Sequence, residues 1–361
     1  MPYYHSSYQK TRQKKRHPFR RFLIVFFLIL FAIAGTLGYF AYEAVFAPNV
    51  WTEDDNGTYI YISNDDDFEA VKKKLYANGS IIHRKNFEWV AQYKAYPKSI
   101  KAGRYKITNG LSNNNLVNLL RSGNQEPVKL RFNNIRLKTD LAKRISEQIN
   151  VNESYFLAQL NDSNYTKTFG FTTENIKCMF LPNTYYIFWN TDSKEFISRM
   201  NYEYDQFWTA KRKAQAAALE LTPIEVSILA SIVEKESQKN DEKPRIAGVY
   251  LNRLKNNWRL QADPTLVYAM GNFQIKRVLN VFKEFESPYN TYKHTGLPPG
   301  PICIPSIASI EAVLNAEEHS YFFFCAKPDY SGYHNFAKHS RQHINNANAY
   351  REFLNKEGIY K

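Results

Sequence analysis

The sequence predicts an α+β protein with a single N-terminal transmembrane helix, a small α+β subdomain and a larger α+β domain. The chain has 361 residues, which is long enough for two domains. A long uncharged apolar stretch lies close to the N-terminus, and the remainder alternates short strand-like segments with segments of helical periodicity. The whole chain is 44% hydrophobic and 23% charged, which excludes a disordered chain and a polytopic membrane protein.

The first 42 residues have the composition of a membrane anchor. Residues 1–21 carry seven Lys and Arg residues and no acidic residue, which is half of the net charge of +14. Residues 22–42 are uncharged, and as a helix they extend about 31 Å, which matches a hydrocarbon core of about 30 Å. Because a signal peptide has only about 7–15 apolar residues, we expect an uncleaved anchor, with cleavage after Ala47 as the alternative.

The position of the basic residues predicts the topology of the anchor. They precede the span, so the positive-inside rule places the N-terminus in the cytoplasm and exports the rest of the chain. The positive charge then acts as a topology signal, and no zinc-finger or RNP motif is present. We therefore predict a membrane protein with no nucleic-acid partner.

The exported part begins with a polar linker, residues 43–57, and a small α+β subdomain, residues 58–124. Alternating residues predict the strands of this subdomain and apolar spacing predicts its helices. The strands are expected at 58–63 and 102–107, and the helices at 68–78, 87–93 and 114–120.

Residues 125–361 are predicted to form the larger α+β domain. Its expected strands are 128–132, 258–262 and 320–326, and its expected helices include 140–148, a long helix 194–218 with Ser193 as N-cap, and 244–255. The five prolines and two glycines of residues 287–306 predict an irregular loop. The chain has three scattered cysteines and no CxxC motif, so no disulfide framework is expected and the thiols are interpreted as small buried groups.

The segment TPIEVSILASIVEKES, residues 222–237, has the clearest helix signal. Thr222 and Glu225 form a capping box, and Pro223 stands at the first helical position. A helix is therefore predicted to begin at this point and to carry two carboxylates, Glu234 and Glu236, close to its end.

Helical geometry separates these two carboxylates. Glu236 lies within about 60° of Leu229, Ile232 and Val233 on a helical wheel, whereas Glu234 lies about 200° away among small residues. An acid on an apolar face has a raised pKa, which suits a general acid that works near neutral pH. The alternatives are a helix-end Glu that extends into solvent and a structural ion pair with an arginine. We predict that Glu236→Gln abolishes activity and that Glu234→Gln has little effect.

Three further segments carry polar groups suited to binding. Asp263, followed by proline, has the pattern of a helix N-cap, and together with Gln261 it also has the pattern of a cleft that binds sugar hydroxyls. Asn290 and Tyr292 lie in the irregular loop, either as binding groups or as part of a rigid structural segment. No zinc site is predicted at His339 and His343, because the segment lacks the Glu of HExxH and a third ligand.

The motifs in this order resemble a known family. ILASIVEKES, then IAGVYLNRLKNNWRLQADPTLVYAMG, SPYNTYKHTGLPPGPICIPS and GYHNF closely resemble the YceG-like family of endolytic murein transglycosylases over most of residues 58–361. The resemblance extends to the N-terminal anchor and implies a LysM-like subdomain at 58–124 and a YceG-like catalytic domain at 125–361. The family's F-P-D-T-Y is here Leu181–Tyr185, with Asn183 in place of the acid.

The resemblance implies a function and a set of site residues. Glu236 corresponds to the catalytic acid/base of the family's EKE[ST] motif. The implied substrate is the peptidoglycan glycan strand, cut between N-acetylmuramic acid and N-acetylglucosamine to give 1,6-anhydro ends, with no metal or cofactor. Peptidoglycan synthases are the implied protein partners, and the bacterial cytoplasmic membrane is the implied location. The residues expected to orient sugar or to support Glu236 are Ser237, Gln261, Asp263, Asn290 and Tyr292.

Two other functional classes stay open at this point. A two-carboxylate hydrolase that uses Glu236 with Asp263 releases reducing ends instead of anhydro ends. A non-catalytic scaffold binds peptidoglycan through the LysM-like subdomain and shows no turnover.

Overall fold

The described residues are divided into two units that alternate helices with short antiparallel strand pairs. We analysed a computed structural model, which describes Met1, residues 18–275 and residues 278–357. The basic tail at 2–17 lies outside the described residues. The two units are Met1–Glu126 and Pro127–Lys361.

The first unit joins the apolar N-terminal helix to a small α+β core. Strands β1 and β2 pair antiparallel, with Thr58 opposite Ile107 and Ile62 opposite Gly103. Gly123 ends the last helix in the left-handed region, at φ 74°. The likeness of this unit to LysM stays a prediction. Its elements are α1 (Pro18–Phe46), β1 (Thr58–Ile62), α2 (Phe68–Ala77), α3 (Arg84–Tyr93), β2 (Gly103–Ile107) and α4 (Asn113–Ser122).

Helix α1 is long and apolar enough to cross a membrane. The candidate span Phe19–Phe46 has a mean hydropathy of 2.5 and is not buried within the unit. Its C-terminal end is fixed to the small core, because Asn113 Nδ2 donates to the backbone oxygen of Ala44 at 2.8 Å. These observations fit a single-pass membrane anchor.

The segment after α1 differs from the expected linker. Asn49, Val50 and Thr52 are buried, and Val50 pairs with Ile81 in an isolated β-bridge. The Asn49 side-chain nitrogen donates to the backbone oxygen of His83 at 3.2 Å, and the Asn49 side-chain oxygen accepts from the backbone nitrogen of His83 at 2.7 Å. Polar composition alone suggested a linker at 43–57, but this part of it belongs to the packed unit.

The second unit packs its helices and strand pairs around one hydrophobic core. Strand β3 pairs with β4, and β5 pairs with β6, each antiparallel. The elements are β3 (Val128–Arg131), α5 (Lys138–Ser146), α6 (Glu153–Asn161), α7 (Ser163–Lys167), β4 (Thr184–Ile187), α8 (Ser193–Phe207), α9 (Ala210–Ala218), α10 (Pro223–Glu236), α11 (Lys243–Lys255), α12 (Asp263–Met270), α13 (Ile307–Leu314), β5 (Phe323–Ala326), β6 (His334–Ala337) and α14 (Ser340–Lys356).

Helix α10 runs through the centre of this core. Its residues 226–233 are all buried, and it packs against α11, α12 and α13. Two serines lie within the buried stretch, and their hydroxyls bond the helix's own backbone: Ser227 to Pro223 and Ser231 to Ile228. The helix therefore has no solvated face in its middle and reaches polar surroundings at its two ends, of which the last turn carries Glu234 and Glu236.

The expected long helix 194–218 is two helices. Helix α8 ends before Trp208, whose side chain is 2% exposed, and α9 begins after Thr209, whose hydroxyl accepts a hydrogen bond from the Arg212 backbone. The N-cap of α8 is Asp192, not Ser193. Burial of the Trp208 ring and the threonine cap interrupt a periodicity that is continuous in the sequence.

The expected strand 258–262 is not formed, and Asp263 is not an N-cap. The segment is irregular, and its backbone bonds the irregular loop through one backbone–backbone contact, Gln261 N to Thr291 O at 3.0 Å. Gln261 has φ 50°, which prevents a regular strand. Ala262 occupies the N-cap position of α12 and Asp263 is its first residue, so the carboxylate is directed to another partner. The predicted irregular loop at 287–306 contains no helix or strand.

Candidate active site

Glu236 is the last residue of α10, and its carboxyl group lies at the edge of the buried core. Oε1 accepts a hydrogen bond from the hydroxyl of Tyr250, on α11, at 2.6 Å. Burial raises the pKa of Glu236 to about 7, and the negative charge of Asp263 acts in the same direction, whereas the Tyr250 hydrogen bond and Arg253 oppose it. A carboxyl group with a pKa near neutrality can both donate and accept a proton at neutral pH.

Tyr250 and Arg253 lie one helical turn apart on α11 and face Glu236 together. Arg253 is 7% exposed and is held by two backbone oxygens: Nε donates to Phe322 at 2.8 Å, and a terminal nitrogen donates to Leu260. Burial and the neighbouring Glu236 raise the pKa of Tyr250 well above its ordinary value, so its hydroxyl stays a donor. The two side chains thus fix the orientation and the acidity of Glu236.

Asp263 and Tyr292 form a second pair beside Glu236. The Tyr292 hydroxyl donates to Asp263 Oδ1, which places the irregular loop against the start of α12. The pKa of Asp263 is raised because the surrounding walls limit its contact with water, although the Tyr292 hydrogen bond opposes this effect. Asp263 is exposed to the space in front of Glu236, where a ligand can reach it.

Two adjoining cavities share Glu236 and Asp263. The first, here called the aromatic cavity, has a volume of about 580 Å³. The second, here called the basic cavity, has a volume of about 310 Å³. The aromatic cavity is lined by Glu236, Tyr250, Arg253, Gln261, Asp263, Lys283, Tyr292, Phe323, Phe324 and His343. The basic cavity is lined by Arg136, Lys235, Glu236, Asp263, Pro264, Val267, Tyr268, Phe273, Ile275, Val278 and Ile302. Together they form a groove with Glu236 between its two halves, which suits cleavage in the interior of an extended chain.

Glu234 points away from this groove. Its Oε2 accepts from Lys243 Nζ at 3.1 Å, from the Ser306 hydroxyl at 2.5 Å and from the Ser309 hydroxyl. These donors outweigh burial and lower the pKa of Glu234. The two carboxylates of the EKE motif therefore lie in opposite environments, one ionised and structural, the other protonatable and open to the groove.

Two of the expected binding residues do not line the groove. The Ser237 hydroxyl accepts from the Lys239 backbone at 3.0 Å and faces the buried carboxylate of Glu242 at 3.4 Å. Asn290 is fully buried, and its side-chain amide donates to the backbone oxygens of Lys283 and Phe285. Both side chains organise loops, so the structure brings only Gln261, Asp263 and Tyr292 to Glu236.

Sequence reasoning missed several groove residues. Tyr250 lies on the apolar stripe of its helix, as a core residue does, and Arg253 lies beside that stripe, so neither is marked as a groove residue in the sequence. Their spacing of three residues, which puts both on one helix face, was an available signal. Lys283 and His343 come from distant segments, and no local pattern marks them.

A buried lysine supports one wall of the basic cavity. Lys177 is 2% exposed, and its Nζ donates to the backbone oxygen of Arg136 at 2.6 Å and to the Tyr268 hydroxyl at 3.0 Å. Burial lowers its pKa to about 8. Lys177 therefore holds two groups of this wall, the Arg136 backbone and the Tyr268 side chain.

Comparisons with known proteins identify relatives of this chain. The YceG-like family model matches residues 60–349. The chain is 28% identical over 283 residues to an endolytic murein transglycosylase of Bacillus subtilis, covering 74% of this chain and 78% of the relative. It is 27% identical over 341 residues to an endolytic murein transglycosylase of Streptococcus pneumoniae, covering 84% of this chain and 60% of that longer relative.

A solved structure shares the fold. The crystal structure of a YceG-like protein from Listeria monocytogenes superposes with a TM-score of 0.53 at 24% identity, covering 81% of this chain and 99% of that one. The resemblance noted in the sequence is thereby confirmed. Because the family model spans most of the chain, the protein belongs to the YceG-like family.

Proposed function

We propose that the protein is an endolytic murein transglycosylase with Glu236 as its catalytic acid/base. It cleaves the β-1,4 bond between N-acetylmuramic acid and N-acetylglucosamine within nascent glycan strands, and so limits their length. The observation that carries the proposal is the position of Glu236, whose pKa is raised to about 7 between the two halves of an open groove. The names of the relatives support the same activity.

The first step is protonation of the leaving group. Protonated Glu236 donates its proton to the glycosidic oxygen, the bond from that oxygen to muramoyl C1 breaks, and N-acetylglucosamine leaves with a new hydroxyl. Tyr250 holds the carboxyl group in place, and it stabilises the carboxylate that results because its hydroxyl is a donor.

The second step regenerates the acid. The Glu236 carboxylate takes the proton of the muramoyl C6 hydroxyl while O6 bonds to C1, which closes the 1,6-anhydro ring. No water is consumed, and Glu236 ends protonated as it began. The intramolecular hydroxyl outcompetes water because its effective concentration is far higher. A single proton-transferring carboxylate therefore suffices.

We expect this reaction to take place at the membrane surface, because of the N-terminal apolar helix. The apolar helix α1 fits a single pass through the cytoplasmic membrane, and the basic tail before it favours an N-terminus in the cytoplasm and a catalytic unit outside. Nascent peptidoglycan is made at that face, which makes peptidoglycan synthases the expected neighbours.

A two-carboxylate hydrolase is the second candidate, and the position of Asp263 favours it. Asp263 lines both cavities beside Glu236 and is exposed to the groove. In that mechanism one carboxylate activates water and the product has a reducing end. In the transglycosylase, Asp263 instead positions Tyr292 and raises the pKa of Glu236.

Mass spectrometry of the fragments released from intact sacculi tests these mechanisms. The full chain in detergent, Glu236→Gln and Asp263→Asn are incubated with the same sacculi. We expect anhydro-ended fragments, one water lighter than hydrolytic products, from wild type and Asp263→Asn but not from Glu236→Gln, whose loss of turnover is at least about a thousandfold. Reducing-end fragments that need Asp263 establish the hydrolase. Glycan binding without products in any form establishes a scaffold.

A further inference from the structure

The basic cavity carries two cations that the proposed reaction does not use. Arg136 comes from the segment between β3 and α5, and Lys235 precedes Glu236 on α10. Among the ion pairs of the described residues, none involves either side chain. The acidic groups on this cavity are Glu236, whose pKa is raised to about 7, and Asp263, which accepts a hydrogen bond from the Tyr292 hydroxyl. Neither cation forms an ion pair with these acids, so both can bind an anionic group of a ligand.

Both cations are held in position. The Arg136 guanidinium lies over the Phe273 ring at 4.5 Å, and Lys235 Nζ donates to the side-chain oxygen of Asn134. The backbone of the segment that carries Asn134 and Arg136 is also held in place, because Ile135 O accepts a hydrogen bond from Ile304 N at 2.7 Å. Lys177 holds the Arg136 oxygen in addition. The two charges thus converge on the cavity from two separately anchored elements, which is the arrangement of a binding site for an anion.

We propose that the basic cavity binds a carboxylate carried by the muramoyl substituent of the substrate, through Arg136 and Lys235. This inference rests on the proposed function. The bond cleaved at Glu236 is the one at muramoyl C1, so the sugar beside Glu236 is the muramoyl unit. That sugar carries the only carboxyl-bearing substituent of the glycan strand, either the lactyl group itself or the stem peptide attached to it. Selection of this group fixes the register of the strand, so that Glu236 meets the bond on the correct side of each disaccharide.

Binding to the non-cleaving Glu236→Gln chain tests the subsite separately from catalysis. The full chain in detergent is titrated calorimetrically with three tetrasaccharides: one with free stem-peptide carboxylates, one with all of these amidated, and one without peptide, whose lactyl carboxylate is free. We expect at least one carboxylate-bearing ligand to bind about tenfold more tightly than the amidated ligand, and the preference to shrink as salt rises.

Substitution identifies the residues responsible. Arg136→Gln and Lys235→Gln, added to Glu236→Gln, should each remove most of the preference, whereas the matched control Lys283→Gln in the aromatic cavity should keep it. A preference for the peptide-bearing ligand assigns the stem peptide, and a preference for the peptide-free ligand assigns the lactyl group. Equal affinity for all three ligands, or a preference that survives both substitutions, overturns the proposal. Cleavage of the same ligands by wild type reports on the proposed function, independently of either result.

Discussion

The hydrogen bond from Tyr250 to Glu236 should set the alkaline limit of activity. The general acid must be protonated in the free enzyme, so kcat/KM should fall above the Glu236 pKa of about 7. The Tyr250 bond lowers that pKa because it stabilises the carboxylate. Tyr250→Phe removes the donor and preserves the ring, so the alkaline limb should move to higher pH.

The size of this shift follows from the strength of the bond. The oxygens are 2.6 Å apart, and a hydrogen bond to a charged group contributes about 1.5 kcal/mol at the lower end of its range. About 1.4 kcal/mol corresponds to one pH unit, so the limb should move upward by about one unit. The plateau below it should also fall, because a weaker acid donates its proton less readily.

The assay is the pH dependence of kcat/KM for release of anhydro-ended fragments, with Tyr292→Phe as the matched control. That variant also removes one phenolic hydroxyl from the groove, but the bond it loses is to Asp263. A more readily protonated Asp263 repels the Glu236 carboxylate less, so the limb should stay in place or move slightly to lower pH. An unchanged or lowered limb in Tyr250→Phe would refute the assignment of Glu236 as the titrating acid.

Two stability predictions concern the carboxylates of the EKE motif. The pKa of Glu236 is raised from 4.5 to about 7, so the folded chain binds more protons than the unfolded chain between these values and loses stability as pH rises through them. In urea unfolding, the free energy of unfolding of Glu236→Gln relative to wild type should therefore increase by up to about 3 kcal/mol as the pH is raised from 4.5 to 8. A difference between the two proteins that does not change with pH would contradict this. Glu234→Gln leaves Lys243, whose side chain is 4% exposed, without its ion pair, so the free energy of unfolding should fall by about 3 kcal/mol. The alkaline limit of kcat/KM should stay unchanged in this variant. If Glu234→Gln has the same free energy of unfolding as wild type, the pair of Glu234 and Lys243 is not structural.

The two glutamates show what a helical wheel could predict about this site and what it could not. The 100° spacing of helical residues separated Glu236 from Glu234, and the structure places only Glu236 in the groove. The same reasoning expected Glu234→Gln to have little effect on activity, but it could not predict an effect on stability, because it did not show what covers the serine-containing face. That face is buried, since α13 covers it and supplies Ser306 and Ser309 to the carboxylate.

Local patterns determined the elements that depend on nearby residues. The apolar N-terminal helix, the capping box at Thr222 and the irregular loop at 287–306 follow from apolar length, cap chemistry and proline content, and each is present in the structure. The break at Trp208 and the extended segment around Gln261 do not follow from them. Burial of a ring and a backbone bond to a distant loop decide those conformations.

The sequence by itself determined the class of the chain, its family and the identity of its acid/base candidate, because apolar periodicity and contiguous motifs are local properties. Only the tertiary structure decided the acidity of Glu236 and the composition of the groove. Its pKa depends on desolvation by the core and on Tyr250, Arg253 and Asp263, which approach it from other segments. Arg136 and Lys235 are separated by about a hundred residues of chain, and only the fold brings both to the basic cavity.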